Sequence, residues 1–185
     1  MKTLFLVLLL ISACSHGPRI IETADDESRP SWASTTKPRF IKDGKIYFVA
    51  YVEVDGNDSK SAAQNMSDEK AMSEPFRALA DEFLDQNQVG EELRKAANVG
   101  QRVISATRGY RPPMPSLQIV NRYWEVRSMG EHGPLNLKAF SLVEIPIPDY
   151  EAAKAAYLNR LAGDSEVKKV LADVGEKQRR KVLGE

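Results

Sequence analysis

The stretch from residue 39 to residue 54 reads RFIKDGKIYFVAYVEV, and it decides what kind of fold this chain adopts. Asp43-Gly44 is a strong two-residue hairpin signal between two runs with high β propensity. We therefore predict one strand over residues 39–42 and a second over residues 45–54. Alternate positions of the second strand form two faces, which are Ile46, Phe48, Ala50, Val52 and Val54 on one and Tyr47, Val49 and Tyr51 on the other. Since both faces carry large apolar side chains, we expect both to be partly covered.

A helical region is predicted directly after this hairpin, over about residues 59–87. Its apolar side chains recur at helical spacing, at Met72, Phe76, Leu79 and Phe83. Pro75 lies inside the pattern, where a proline kinks or ends a helix. Alternatively, Ser73 caps a fresh helix that holds Pro75 in its first turn. A further helix is predicted over residues 90–108, ended by Gly109.

The second half of the chain predicts two more strands and two more helices. The prolines of the segment from Tyr110 to Pro115 exclude regular structure there. Strands are expected over residues 117–127 and 136–147, joined by a turn at residues 130–134, with Trp124 and Val126 on the face opposite to Ile119 and Tyr123. Asp149 is predicted to cap a helix that runs to about Ala162, and Asp164 to start the last one. The fold class is therefore α+β, a small antiparallel sheet of about three to four strands packed against helices, with C-terminal helices over about 149–185.

The N-terminus has the layout of an export signal. One lysine precedes an unbroken apolar run over residues 4–11, and small residues then lead to Cys14. Eight apolar residues are too few to cross a hydrocarbon core, which takes about 20 in a helix. Ile11-Ser12-Ala13-Cys14 resembles a bacterial lipobox. That resemblance implies a signal peptide over residues 1–13, cleavage before Cys14 and lipid on the Cys14 thiol and on the new amino group.

Location follows from the same resemblance. Ser15 stands where an aspartate would imply retention in the inner membrane, so its presence implies the outer membrane, with the domain facing the periplasm or, alternatively, displayed at the cell surface. Residues 14–28 have no apolar period and are predicted to be a flexible tether. The folded domain is expected over residues 29–185, because Trp32 in Arg29-Pro30-Ser31-Trp32 is expected to dock on it.

Composition excludes one class of partner and supplies no cofactor motif. The 26 basic and 26 acidic residues cancel, whereas nucleic-acid binding usually shows as a basic excess. The only histidines are His16 and His132, and no zinc, phosphate-loop or nucleophile-elbow motif is present. We therefore expect no catalytic residue, no metal and no small-molecule cofactor.

Two acidic groupings have simple structural interpretations. The run from Asp55 to Asp58 is interpreted as a turn, since Lys60 and Met66 stand where a calcium loop needs glycine and glutamate. Asp81 and Glu82 are neighbours on a predicted helix, so they do not face one another as an acid/base pair. Carboxylates distant in the sequence remain free to meet in space.

Three residues are candidates for binding a protein partner. Tyr110 and Arg111 lie in the proline-rich loop, which is either a rigid binding loop or a simple crossover. Trp124 and its neighbour Tyr123 face opposite sides of a strand, so one belongs to the core and the other is exposed or covered by a helix. The basic run over residues 176–181 either complements a helix dipole or contacts an anionic partner.

A family resemblance joins several of these motifs. The lipobox, Arg29-Pro30-Ser31-Trp32, the hairpin with Ile46-Tyr47-Phe48-Val49-Ala50, an alanine-rich helix and Val120-Asn121-Arg122-Tyr123-Trp124-Glu125 occur in the order of a small surface-lipoprotein family. That family is typified by a 20-kilodalton antigen, and its domain is similar to the N-terminal domain of the flagellar-ring protein FlgT. The resemblance covers about residues 29–150. It implies a small α+β envelope domain without enzymatic activity.

Three classes of function remain open. The first is a non-enzymatic, membrane-anchored lipoprotein that binds or scaffolds a protein partner. The second is an assembly accessory of an envelope machine, such as a flagellar ring or the peptidoglycan synthesis apparatus. The third is a periplasmic hydrolase, which would require a concave pocket with converging titratable side chains.

Overall fold

The fold is one antiparallel sheet with helices on one of its faces. In a computed structural model of the chain, the described residues are 18–24, 28–34, 38–87, 110–128, 130 and 133–183, without the side chains of Val174 and of residues 177–183. The elements are β1 (Arg19–Thr23), a 3-10 turn (Ser31–Ser34), β2 (Arg39–Lys42), β3 (Lys45–Asp55), α1 (Lys60–Gln86), β4 (Gln118–Ser128), β5 (Leu135–Pro146), α2 (Ile147–Gly163) and α3 (Ser165–Leu183). The strand order is β1-β4-β5-β3-β2, with every pair antiparallel. The α+β prediction is confirmed, with five described strands where three to four were expected.

The β2–β3 hairpin forms where the sequence predicts it. Asp43 and Gly44 have φ angles of 50° and 73°, the left-handed values of the tight turn whose twist suits a hairpin. Lys42 lies opposite Lys45 and Arg39 opposite Phe48, so the register follows from the turn. Beyond Arg39, Val49 N–H donates to Pro38 O at 2.9 Å.

The core has a helix side and an outer side, separated by the sheet. On the helix side, Ile46, Phe48, Val143 and Ile145 are buried against the three described helices. The buried helical side chains are Ala71, Leu79, Ala80, Phe83 and Leu84 of α1, Tyr150, Ala153, Tyr157 and Leu161 of α2, and Val167 of α3. On the outer side, Tyr123 and Phe140 are buried against Ala33, with Trp32 partly covering them. Trp32 therefore docks on the domain as predicted.

Strand β1 corrects the predicted tether. Arg19 lies opposite Ser128 and Thr23 opposite Glu125, so residues 19–23 belong to the sheet. The expectation of a flexible tether over 14–28 is wrong for this segment, and the described fold begins at Arg19 instead of residue 29. Four of the five β1 side chains are exposed, so backbone pairing with β4 holds the strand and no apolar alternation shows in the sequence.

Helix α1 is continuous through Pro75. Ser59 caps its N-terminus, with Ala62 N–H donating to Ser59 Oγ at 3.4 Å. Ser73 Oγ donates to Lys70 O at 2.7 Å within the helix, so the alternative of a fresh helix capped by Ser73 is wrong. Pro75 is buried, and packing of its ring offsets the hydrogen bond that a proline cannot donate.

The second half of the described chain has the two strands and two helices that the sequence predicts. Strands β4 and β5 are confirmed within one or two residues, whereas α2 begins at Ile147, two residues before the predicted cap Asp149. The Asp164 carboxylate accepts from Glu166 N–H at 2.9 Å and Val167 N–H at 3.2 Å, which confirms the predicted start of α3. The predicted helix over 90–108 lies outside the described residues. Among the described helices, none has both the length and the apolar character needed to cross a membrane.

A bulge in β4 overturns the predicted alternation. Ile119 lies opposite Val143 and Asn121 opposite Leu142, so Val120 is an extra residue in the strand. The insertion reverses the faces of all later residues. Ile119 and Trp124 therefore both lie on the helix side, although simple alternation places them on opposite faces.

Candidate functional site

The proline-rich loop is docked on the core. Tyr110 is half-buried and stacks on Tyr157 of α2, with ring centroids 6.3 Å apart and an interplanar angle of 8°. Pro112 and Met114 are buried, whereas Arg111 is exposed, with its Cζ 5.2 Å from the ring centroid of Phe76. Tyr110 therefore contributes to packing, and Arg111 is the member of the predicted pair that is open to a partner.

Trp124 lies at the opposite end of the helix-side core. It is half-buried in a cluster with Val126 and Leu137, separate from the cluster that Tyr110 joins. Lys60 Nζ lies 4.1 Å from the Trp124 ring centroid, within range of a cation–π interaction. The structure thus brings Tyr110 and Arg111 together but not Trp124, and it confirms that a helix covers Trp124 while Tyr123 is buried on the other side.

A cavity adjoins Trp124. It has a volume of about 340 Å³ and lies between α1 and β4, next to the end of β1. Lys60 and Arg122 line it, together with the amide side chains of Gln64 and Asn65. Lys60 pairs with Glu22 of β1, and Arg122 pairs with Asp68 of α1, so both cations also tie neighbouring elements together.

A buried glutamate organises the outer side of the sheet, and sequence reasoning missed it. The Glu125 side chain is fully buried, accepts from Tyr123 OH at 3.2 Å and from Arg127 Nε at 2.7 Å, and lies 3.8 Å from Arg29 Nε. Arg29 Cζ also lies 5.0 Å from the Phe140 ring centroid. Burial and the neighbouring Glu125 raise the pKa of Tyr123 to about 12. The signal in the sequence is Arg29-Pro30-Ser31-Trp32, whose arginine supplies one of the partners.

Lys138 adds a third cation beside this group. Its Nζ lies 3.9 Å from the Tyr51 ring centroid and 3.8 Å from Glu53 Oε2. Burial lowers the pKa of Lys138 against the attraction of Glu53, and the nearby Arg127 and Arg29 lower it further. The Arg29–Glu125 ion pair therefore joins the N-terminal segment to the sheet, whereas Lys138 is repelled by the two arginines and pairs with Glu53.

A second cavity lies between α1 and the β2–β3 hairpin. Its volume is about 370 Å³, and the acidic side chains in its wall are those of Glu74, Asp81, Glu82 and Asp85. Glu82 Oε1 accepts from Arg39 at 2.6 Å and from Tyr150 OH at 3.0 Å, and Lys154 Nζ forms an ion pair with Oε2 at 2.7 Å. Burial alone would raise the pKa of Glu82, but these three partners outweigh it and hold the pKa below its usual value.

The Glu82 contacts bear on the hydrolase alternative. That alternative requires a concave pocket with titratable side chains, and this cavity meets the requirement. A general acid or base, however, works best with a pKa near the operating pH and a free site for the proton. The pKa of Glu82 is lowered instead, Oε1 accepts two hydrogen bonds and Oε2 is ion-paired with Lys154, so these contacts suit an anchor between α1, α2 and β2.

A third polar group lies between α1 and the middle of β5. Ser141 Oγ donates to Asp68 Oδ1 at 2.6 Å, and Asp68 also accepts from Arg122 Nε at 2.9 and 3.2 Å. Ser67 and Ser141 are fully buried, with their oxygens 3.0 Å apart. Neither hydroxyl can reach a substrate, so the group serves to set the position of α1 on the sheet.

The described acidic side chains near Asp55 form a turn and not a metal site. Among the described residues, no three His, Cys, Asp or Glu side chains are grouped closely enough to hold a metal ion. Asp55 Oδ1 accepts from Asn57 N–H at 2.9 Å, which confirms that this segment is a turn. Cys14, His16 and His132 lie outside the described residues.

Comparison with known proteins adds no relative. No protein-family model, no curated protein and no solved structure matches this chain. The resemblance to the small surface-lipoprotein family therefore stays a prediction.

Proposed function

We propose that the chain is a bacterial lipoprotein, exported by residues 1–13 and anchored by lipid on Cys14. The observation that carries the proposal is Ile11-Ser12-Ala13-Cys14 at the end of an apolar run, with the one cysteine of the chain at the position for lipid. Several acyl chains on one cysteine give stable anchoring, whereas a single chain binds only marginally. Ser15 favours the outer membrane, with the domain in the periplasm.

We further propose that the domain is a non-enzymatic module that binds or scaffolds an envelope protein. Support comes from the carboxylates of buried Glu125 and half-buried Glu82 and Asp68, each of which forms an ion pair with a cation of a neighbouring element. Such paired carboxylates give a rigid framework on which exposed groups can be presented to a partner. Arg111, exposed on a loop that Tyr110 holds to α2, is the candidate contact residue.

Labelling and fractionation test the anchor. Wild type and Cys14→Ala are expressed in a bacterium with two membranes, fed radioactive palmitate and fractionated. Label in the wild type alone, in the outer-membrane fraction, is the expected result. Ser15→Ala is the matched control and keeps both label and location, whereas Ser15→Asp moves the labelled protein to the inner membrane. An unlabelled wild type that stays soluble in the periplasm would contradict the proposal.

Photo-crosslinking from single positions tests the partner. A benzophenone side chain replaces Arg111 in one strain and Arg160, an exposed arginine of α2, in another. A crosslinked envelope protein from position 111 and none from position 160 is expected. Equal products from both positions, or none from either, would remove Arg111 as the contact residue. The identity of the captured protein separates a general scaffold from an accessory of the flagellar ring or of peptidoglycan synthesis.

A further inference from the structure

The free edge of β1 carries two neighbouring exposed isoleucines. Ile20 and Ile21 are 40% and 52% exposed, although both belong to the sheet. A register shift between Ile20 and Glu22 makes Ile21 a bulged residue, and a bulge turns its side chain away from the regular alternation. β1 is the first strand in the sheet order, so among the described strands its outer side pairs with none.

The chemistry around these isoleucines is that of a lipid interface. Arg19 at the start of β1 is exposed and makes no ion pair with a described residue. Exposed isoleucines beside an exposed arginine are typical of surfaces that lie in the headgroup region of an anionic bilayer.

The position of Cys14 in the chain makes this edge the part of the domain next to the membrane. Whatever conformation residues 15–18 adopt, the five steps from Cys14 to Arg19 span at most about 18 Å. A domain of this size has a radius of gyration of about 15 Å, which for a sphere corresponds to a diameter of about 39 Å, about twice the reach of those five steps. A lipid on Cys14 therefore leaves no room to turn the β1 edge away from the bilayer, whereas the predicted 15-residue tether would have allowed any orientation.

We propose that the β1 edge, formed by Arg19, Ile20 and Ile21, rests in the lipid headgroup layer and fixes the orientation of the domain on the membrane. The inference rests on the proposed lipidation of Cys14. It places β2, at the other end of the sheet, away from the bilayer. The domain then extends from the membrane surface in one orientation.

Environment-sensitive labels at the two ends of the sheet test the orientation. Ile21→Cys and Ile41→Cys are made in the full chain, purified from membranes and labelled with a nitroxide. The lipid occupies the Cys14 thiol, so each variant has one free thiol. Ile41 is the matched control, because it is an isoleucine of a short edge strand, 64% exposed, at the opposite end of the sheet. Vesicles contain phosphatidylethanolamine and phosphatidylglycerol.

The expected result is a difference between the two positions. The measured quantity is the collision rate of each label with a water-soluble relaxation agent, on vesicles and in the soluble Cys14→Ala protein that carries the same label. On vesicles, this rate falls by about half or more at position 21 and does not change at position 41. Mass spectrometry of the same sample reports the acyl groups. An acylated, vesicle-bound protein with equal accessibility at 21 and 41 overturns the orientation and leaves the lipoprotein proposal standing.

Two other outcomes also overturn the orientation. A protein without acyl mass on Cys14 overturns the lipoprotein proposal and the orientation with it. A label at position 21 that is already shielded in the soluble Cys14→Ala protein indicates that a second copy covers the β1 edge, in place of lipid.

Discussion

At the residue scale, Glu125 places a fully buried carboxylate on the outer side of the sheet. A fully buried carboxylate is tolerated only with charged or hydrogen-bonding partners, and here Arg29, Arg127 and Tyr123 supply them. Arg29 comes from the segment before the first hairpin, whereas Glu125 and Arg127 share β4. The pairing therefore joins distant parts of the chain on the outer side of the sheet.

We expect Glu125→Gln to lower the free energy of unfolding by about 3 kcal/mol, since it leaves Arg29, Arg127 and Lys138 close together without a buried anion. Urea denaturation of the Cys14→Ala chain measures this. Glu53→Gln is the matched control, because Glu53 also lies beside Lys138 but its side chain is 47% exposed. The control is expected to change stability by no more than about 0.5 kcal/mol. Equal losses in the two variants would contradict a special role for Glu125.

Glu82 makes a prediction about acid stability. Its pKa in the folded chain lies below the usual value of 4.5, so its ionised form stabilises the fold above that value. This stabilisation is lost as the pH falls through the lower, folded pKa. Urea midpoints measured from pH 7 to about pH 3 should therefore fall less steeply in Glu82→Gln than in the wild type.

The neighbouring Asp81 provides the control for that measurement. Its side chain is exposed on the same helix turn, so Asp81→Asn should keep the wild-type dependence on pH. A Glu82→Gln profile that runs parallel to the wild type at lower overall stability would show that Glu82 acts through packing alone.

At the element scale, the turn after β3 depends on one glycine. Gly56 N–H donates to Leu135 O at 2.8 Å, which holds the turn against the start of β5. A Cβ at position 56 would lie 2.3 Å from Leu135 Cβ and 2.8 Å from its carbonyl carbon, so the backbone would have to move. The close approach therefore requires glycine on grounds of space.

We expect Gly56→Ala to destabilise the domain by about 2 kcal/mol, as overpacking against backbone usually does. Gly163→Ala is the matched control, because a Cβ at the end of α2 meets no atom within 4 Å. The control should be neutral or slightly stabilising, since alanine favours a helix more than glycine does. Thermal unfolding of both variants checks this, and a stable Gly56→Ala would show that the β5 start is able to shift.

The elements differ in how well the sequence predicts them. The β2–β3 hairpin, the α3 cap at Asp164 and the turn at Asp55 are local, since Asp43-Gly44 and the two capping side chains act within a few residues. Strand β1 and the bulge at Val120 depend on partners that are distant in the chain. A prediction from simple alternation assumes that no residue is inserted in the strand. The predicted placement of Ile119 and Trp124 on opposite faces is therefore wrong. The effect of Pro75 on α1 is also decided by distant parts of the chain, because tertiary packing determines whether the helix continues through a proline.

The candidate sites show the same division. The signal layout and Cys14 are local patterns, and Tyr110, Arg111 and Trp124 are single side chains of suitable chemistry. The contacts of Glu82 with Arg39 and Lys154 join three elements, and no spacing in the sequence reveals them. Whether carboxylates distant in the sequence meet in space therefore depends on the tertiary fold, which no local pattern records.

At the scale of the whole molecule, one sheet serves two cores. Strand β5 contributes Val143 and Ile145 to the helix side and Phe140 to the outer side, so neither core can form without it. Trp124 packs on the helix side and Trp32 on the outer side, which gives each core its own fluorescent reporter.

We expect the two cores to unfold together. Trp32→Phe leaves Trp124 as the reporter and Trp124→Phe leaves Trp32, and each variant is unfolded in urea with fluorescence and circular dichroism recorded together. Within each variant, the two signals should give the same midpoint, as a two-state domain requires. A fluorescence midpoint well below the circular dichroism midpoint in the Trp32 reporter alone would show that the N-terminal segment detaches first.

The pairing of β1 with β4 also sets an order in time. Arg19 is made early and its partner Ser128 late, so when a ribosome has finished the β2–β3 hairpin, β1 still has nothing to pair with. Pairing across such a separation closes slowly, because a long loop must be ordered first. The first of the described strands is thus placed only after β4 has been synthesised, and in a chain halfway through synthesis β1 still lacks its partner strand.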